Sequence, residues 1–256
     1  MNTESVKHKT PSVLSLQDGK RLAYHLTEGL LPCVIFMGGF KSDMTGSKAL
    51  ALENLCKQRG QRFIRFDYTG HGQSSGNFRD GTIGSWQQDV LAVLDKLGSE
   101  KNILVGSSMG AWQMLLAAKA RPEKIIALVG IASAPDFTEK LIWEQLSKEQ
   151  KQTMSEQGEV LLPSCYGEDP YPITKQLIDD GRKHLLLDSP IPINVPVRLI
   201  HGLKDEDVPW QFSVRLAECL ESNDVHVKYI KNGGHRLSDP EHLEIITDQM
   251  SILLRR

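Results

Sequence analysis

Six short, mostly apolar runs recur along the chain, at residues 33–37, 63–66, 103–105, 125–131, 195–200 and 225–230, with helical patterns between them. The first, third and fourth runs are continuously apolar rather than alternating. That texture belongs to central strands of a parallel sheet, covered on both faces. Trp86, Val90, Val93, Leu94 and Leu97 recur at helical spacing and end at Gly98, a natural helix stop. Leu243, Ile246, Met250 and Leu253 repeat the pattern after Asp239-Pro240, a cap and first-turn pair. Strand and helix alternating with right-handed crossovers predict a three-layer α/β sandwich. Ahead of it, residues 12–16 and 22–26 read as a hairpin turned by Gln17-Asp18-Gly19-Lys20.

Composition narrows the function classes. With 30 Lys+Arg against 32 Asp+Glu, the net charge is −2, which gives no general electrostatic reason to bind nucleic acid or anionic membranes. The 40% hydrophobic content fills a core for one domain spanning 1–256. Cys33, Cys56, Cys165 and Cys219 stand far apart with no CxxC pair, so neither a disulfide scaffold nor a structural zinc site is expected. No run approaches the roughly 18 apolar residues of a membrane span. The start lacks both a secretory apolar core and the arginines of a mitochondrial presequence. A cytoplasmic location is expected, or a mitochondrial one if a leading segment has been removed.

One stretch breaks the rhythm. Residues 135–192 are polar and helical in texture, yet carry Trp143, Leu146, Met154, Tyr166 and Leu185 to Leu187. About 55 residues between two strands far exceeds the usual connection of 2–6. A helical lid over the carboxyl edge of the sheet, where ligands bind in such folds, is the expectation.

The chemistry concentrates at Gly106-Ser107-Ser108-Met109-Gly110, between the run ending at Val105 and the helical pattern 111–120. A serine presented on a tight strand-to-helix turn needs flanking glycines, because side chains there would clash. Ser108 is the candidate nucleophile. A serine hydroxyl is weak at neutral pH and needs a histidine base oriented by a carboxylate. In elbow enzymes the chain order is serine, acid, histidine. Lys231-Asn232-Gly233-Gly234-His235 follows the last strand and supplies His235 as base. The acid lies in Asp205-Glu206-Asp207. Asp205 comes first after the strand and is expected to hold the imidazole; Asp207 is expected to cap the helix over 210–220, with Glu206 a solvated charge.

An oxyanion requires two preorganised donors. Met109 opens the helix and offers one amide. Gly38-Gly39-Phe40, after the first run, allows close backbone approach and offers the amide of Phe40. The segment 67–74, with Asp67, His71 and three turn-forming residues, reads as a structural loop. No GxxxxGK[ST] loop and no GxGxxG fingerprint opening a helix is present. No cofactor or metal is expected.

Together these segments resemble the α/β-hydrolase superfamily over nearly the whole chain: the Gly38-Gly39 turn, the 67–74 loop, the Ser108 elbow, GxxDxxVP from Gly202 to Pro209, and the GGH ending at His235. The segments 45–50, 64–68, 104–110, 120–124 and 188–192 resemble more closely the mitochondrial acyl-protein thioesterase and acyl-glucuronide esterase branch of the alpha/beta-hydrolase-domain group and its bacterial relatives. The resemblance implies an α/β-hydrolase fold with a mostly parallel sheet, and Ser108, Asp205 and His235 as a triad. It also implies cleavage of small acyl esters or thioesters, or of acylated proteins, through an acyl-enzyme. Two alternatives share the architecture. A proline-iminopeptidase-type peptidase would need a carboxylate such as Glu206 or Glu168 for a substrate amine, and a non-catalytic receptor would keep the pocket alone.

Overall fold

A computed structural model describes residues 10–163 and 170–255, so the first nine residues, Cys165, Tyr166 and Glu168 lie outside the described residues. In chain order the elements begin with β1 (Ser12–Ser15), β2 (Arg21–Thr27), β3 (Leu30–Met37), α1 (Ser47–Gln58), β4 (Gln61–Phe66) and α2 (Ile83–Lys96). Next come β5 (Asn102–Ser107), α3 (Met109–Ala120), β6 (Ile125–Ile131), α4 (Lys148–Gln157), β7 (Glu159–Leu162), β8 (Tyr171–Thr174) and α5 (Lys175–Gly181). The chain closes with β9 (Val197–Gly202), α6 (Gln211–Cys219), β10 (Val225–Ile230) and α7 (Pro240–Leu253).

Among the described residues, eight strands form one sheet in the order β1-β2-β4-β3-β5-β6-β9-β10. Pairing is parallel from β4 to β10, and antiparallel where β1 meets β2 and β2 meets β4. This is the α/β-hydrolase fold with a mostly parallel sheet. Its register shows why the strand runs are apolar throughout. Ile64, Ile35, Leu104, Leu128 and Val197 lie side by side across five strands and face one core, which α2, α3 and α6 cover. Their neighbours Phe63, Val34, Ile103 and Ala127 face the other core, under α1 and α7. In these central strands each of the paired residues is buried on one side or the other, so alternation disappears there.

Helix α3 is buried on all sides over its first ten residues, from Met109 to Ala118. It runs beneath the segment that joins β6 to β9, and its Trp112 donates to the His184 carbonyl of that segment at 3.1 Å. The connection is not purely helical. It opens with a π-helix, Thr138–Ile142, and holds an antiparallel hairpin of β7 and β8 between α4 and α5. The four-residue strands of the hairpin are too short to give a recognisable period. Its two ends are tied together at the sheet by Asp136, whose buried carboxylate accepts the amides of Leu186 and Leu187 at 2.8 Å each.

Of two capping expectations, one is corrected and the other holds in position. Helix α6 starts at Gln211 with Trp210 as its N-cap and no side-chain cap bond, so Asp207 stands too early in the chain to cap it. Asp239 occupies the N-cap of α7, with Pro240 in the first turn, but its side chain makes no cap bond.

Candidate active site

Ser108 sits between β5 and α3 with φ 55° and ψ −120°, a left-handed conformation costly for a residue with a Cβ. Its neighbours explain how the turn is held. A Cβ on Gly106 would lie 2.3 Å from the Gly110 carbonyl oxygen, and one on Gly110 would lie 2.2 Å from that of Met37. Only glycine permits this closeness at both positions. The Ser108 amide donates to the Ile131 carbonyl of β6 at 2.9 Å, which fixes the turn to the sheet.

The loops after β9 and β10 bring the other expected residues to this turn. His235 Nε2 is 3.0 Å from Ser108 Oγ, and His235 Nδ1 is 2.8 Å from Asp205 Oδ2. An ionised carboxylate only accepts, so Nδ1 carries the proton and Nε2 accepts from the serine hydroxyl. Asp205 Oδ1 takes the amides of Asp207 and Val208, at 3.0 and 2.8 Å. Burial alone would raise the Asp205 carboxyl. Hydrogen bonds from His201, His235 and the Val208 amide outweigh it and hold the group well below the ordinary carboxylate range. Asp205 thus stays ionised beneath its imidazole.

His201, at the end of β9, is a neighbour that sequence reasoning overlooked. Its ring is fully buried, with Nε2 2.9 Å from the Val208 carbonyl and 3.1 Å from Asp205 Oδ2. Nδ1 lies 2.7 Å from Ser213 Oγ and accepts its proton. The one available signal was its place four residues before Asp205, directly at the strand end. Lys48 was also missed: Nζ donates to the Arg236 carbonyl, next to His235. Burial, together with the Arg236 charge, pulls the Lys48 ammonium down to about 8.

Met109 is the first residue of α3, where N–H groups lack an intrahelical acceptor. The Gly38-Gly39-Phe40 loop lies directly against the serine, since a Cβ on Gly39 would sit 3.4 Å from Ser108 Cβ. The Gly39 carbonyl accepts the amide of Ser42 at 3.2 Å and its hydroxyl at 2.8 Å. In a trans peptide, that directs the Phe40 N–H the opposite way. The Phe40 ring packs edge-on to Phe78, Phe137 and Tyr171, at centroid distances of 4.9, 5.6 and 6.0 Å.

Above the serine opens a cavity of about 1220 Å³. Phe137, Leu141, Ile142, Leu146, Leu162 and Ile173, all from the connection between β6 and β9, give it an apolar wall. Lys41, Ser42, Lys48, Glu206, Asp207 and Arg236 give it a polar one. Of the apolar side chains singled out in that connection, Leu146 lines the cavity. Trp143 does not: its ring lies between Lys151 and Arg182, 5.1 and 4.6 Å from its centroid. Met154 is buried in the core, as are Leu186 and Leu187.

Among the described residues, Asp205, Asp207 and His235 form a group whose donor atoms fall within 4.8 Å of one another. The hydrogen bond between His235 and Asp205 already occupies the facing atoms, an arrangement suited to moving a proton rather than holding a cation. Cys33, Cys56 and Cys219 are free and buried. No helix among the described residues is long and apolar enough to cross a membrane.

A strained serine elbow, an acid and a histidine from successive later loops, and an eight-stranded mostly parallel sheet define a hydrolase architecture. Residues 42–166 match the model of the alpha/beta hydrolase fold family. Palmitoyl-protein thioesterase ABHD10, mitochondrial, of Bos taurus is 44% identical over 242 residues, covering 94% of this chain and 79% of that protein. The chain belongs to the α/β-hydrolase family. Among solved structures, alpha/beta hydrolase domain-containing protein 10 from mouse superposes with a TM-score of 0.90 at 42% identity, covering 96% of this chain and 99% of that one. A putative hydrolase from Agrobacterium vitis S4 gives a TM-score of 0.90 at 38% identity, covering 96% and 97%.

Proposed function

We propose that the protein is a serine-dependent hydrolase of carboxylic acyl esters or thioesters, working through an acyl-enzyme. The observation that carries this reading is the continuous hydrogen-bonded line from Ser108 through His235 to Asp205 at the floor of the cavity. In the attack, Ser108 Oγ bonds to the acyl carbon while His235 Nε2 takes its proton. The amides of Met109 and Phe40 receive the negative oxygen. Collapse of the tetrahedral adduct breaks the bond to the alcohol or thiol, which leaves with the proton from His235. Water repeats the sequence on the acyl-enzyme and frees the acid. Asp205 stabilises the imidazolium formed in each half without taking its proton.

Within this single hydrolase domain, the connection 135–192 is a lid that supplies the acyl pocket. Each methylene buried against its apolar wall contributes about 0.8 kcal/mol, which favours longer acyl chains. The name of the cow relative, a palmitoyl-protein thioesterase, supports acylated proteins as substrates alongside small acyl esters. The same name supports a mitochondrial location over the cytoplasmic one. A peptidase is not favoured: Glu206, the described carboxylate put forward to hold a substrate amine, is exposed at the polar wall.

The test is a fluorophosphonate label followed by rates on p-nitrophenyl esters and acyl thioesters from acetyl to palmitoyl. Labelling at Ser108 with a preference for longer acyl chains is expected. Unlabelled protein, or turnover that survives Ser108→Ala, overturns the reading.

A further inference from the structure

His71 carries no part in the reaction sequence above, yet its ring is buried beside the oxyanion loop, only 3% exposed. Its surroundings determine its protonation. Nδ1 faces the Thr69 carbonyl at 3.4 Å, an acceptor that also receives Trp86 Nε1–H at 3.1 Å. The proton therefore resides on Nδ1, and Nε2 is left as an acceptor. The Lys41 amide donates to it at 3.2 Å. The ring is packed edge-on against Tyr68, Phe78 and Trp86, at centroid distances of 5.4, 5.1 and 5.2 Å. Burial among them pushes the imidazole down to about 4, so at neutral pH it is neutral and accepting.

Lys41 is not a relaxed residue. Its φ of 56° places a side-chain-bearing residue in the left-handed region, one position after Phe40. Such a backbone persists only where its surroundings hold it. The holding groups come from the 67–74 loop. Tyr68 OH donates to the Gly38 carbonyl at 3.3 Å, His71 accepts from Lys41, and Asp67 Oδ1 accepts the Met44 amide at 2.7 Å. Between the first two anchors lies the Gly39–Phe40 peptide.

Resting on the reading of the Phe40 amide as an oxyanion donor, we propose that His71 is a positioning residue for the oxyanion hole. Its Nε2 pins the Lys41 amide on one side of the Gly39–Phe40 peptide and, together with Ser42 on the Gly39 carbonyl, fixes the direction of the Phe40 N–H. Loss of that acceptor leaves Lys41 free to relax from its strained φ and turns the donor away from the tetrahedral oxygen. The effect falls on the transition state, because the ground-state carbonyl makes less of this bond.

The experiment compares His71→Phe, His71→Asn and His71→Gln. Phenylalanine keeps the packing without the acceptor. Asparagine is too short to reach Lys41, and glutamine can place its amide oxygen near the Nε2 position. For a p-nitrophenyl ester, His71→Phe and His71→Asn should lower kcat about 10- to 100-fold with KM nearly unchanged, part of the 10²–10³ lost with a whole oxyanion donor. Inhibition by an alkyl trifluoromethyl ketone, whose adduct with the serine mimics the tetrahedral intermediate, should weaken in parallel. His71→Gln should recover most of both. If His71→Phe does not fold, the asparagine and glutamine pair decides. Equal losses in all folded variants, a loss confined to KM, or wild-type kcat in His71→Asn would overturn the inference. Turnover that still requires Ser108 while ignoring His71 overturns this inference alone, whereas turnover without Ser108 overturns the reading beneath it.

Discussion

His201 and His235 meet the same oxygen of Asp205, from 3.1 and 2.8 Å. The other oxygen is taken by two amides. Asp205→Asn must therefore place its carbonyl on the amide side and its NH₂ between the two rings. His235 Nδ1 then becomes an acceptor, and Nε2 carries a proton it cannot exchange with Ser108. The rate should fall about 10⁴-fold, the scale of a wrong-tautomer histidine. Asp207→Asn leaves Oδ1 of Asp205 with its amides and should cost far less. Steady-state rates of the two variants decide; an equal or larger loss at Asp207 would move the acid to that position.

Ser108→Ala and His235→Ala should each abolish turnover to a similar extent, and the double variant should lose little more. Residues acting as one relay are not additive. The check is single-turnover kinetics on folded proteins, and additive losses would mean the two act separately.

Truncation of the cavity wall should change substrate choice. Ile142→Ala with Leu146→Ala enlarges the apolar side and should shift the preferred acyl length while sparing an acetyl ester. Trp143→Ala should leave the profile in place and cost about 1–2 kcal/mol of stability, from two lost cation–π contacts. A chain-length profile of each variant tests this; a shift with Trp143→Ala alone would reverse the assignment.

Two buried groups near Thr69 give stability opposite pH slopes. Asp89 accepts the Thr69 amide at 2.8 Å, and burial pushes its carboxyl up to about 6 from 3.8. Its raised value favours the protonated folded form, so its contribution is full below about pH 4 and lost as pH rises through 6. His71, pushed down to about 4 from 6.5, contributes above pH 6.5 and loses that as pH falls toward 4. Asp89→Asn removes the first slope only. Relative to wild type it should gain about 2 kcal/mol between pH 4.5 and 7.5, measured by urea denaturation. An unchanged difference at the two pH values would contradict the linkage.

Glycine positions should separate by what surrounds them. Gly106→Ala drives a Cβ to within 2.3 Å of backbone and should cost roughly 3 kcal/mol or more. Gly39→Ala meets Ser108 Cβ at 3.4 Å, ordinary contact, and should fold while crowding the serine. Thermal melts and esterase rates of both variants test the contrast.

The sheet was legible because burial on two faces writes itself as unbroken apolar runs. The strand at 125–131 matches its run end to end, and β3 begins three residues before its run, at exposed Leu30; β10 matches 225–230 in extent, although exposed His226 and Lys228 interrupt its apolar residues. Ser108 and His235 were legible because glycine is obligatory where backbones touch. The hairpin of β7 and β8 was hidden by its brevity. Trp143 misled because an aromatic ring can be satisfied by two cations as well as by a pocket. His201 was silent because a buried, bonded histidine at a strand end leaves no pattern, and Asp207 looked like a cap only until the helix proved to start at Gln211.

Gly110 presses against the carbonyls of Met37 and Gly38, where an added Cβ would lie 2.2 and 2.5 Å away. The helix after Ser108 and the 38–40 loop thus share a footing of backbone on backbone, with no side chain between them to loosen. Heating offers this site no private softening: the spacing between Ser108 Oγ and the amides of Phe40 and Met109 survives until β3 and α3 part. Activity and the sheet should be lost together, at one temperature.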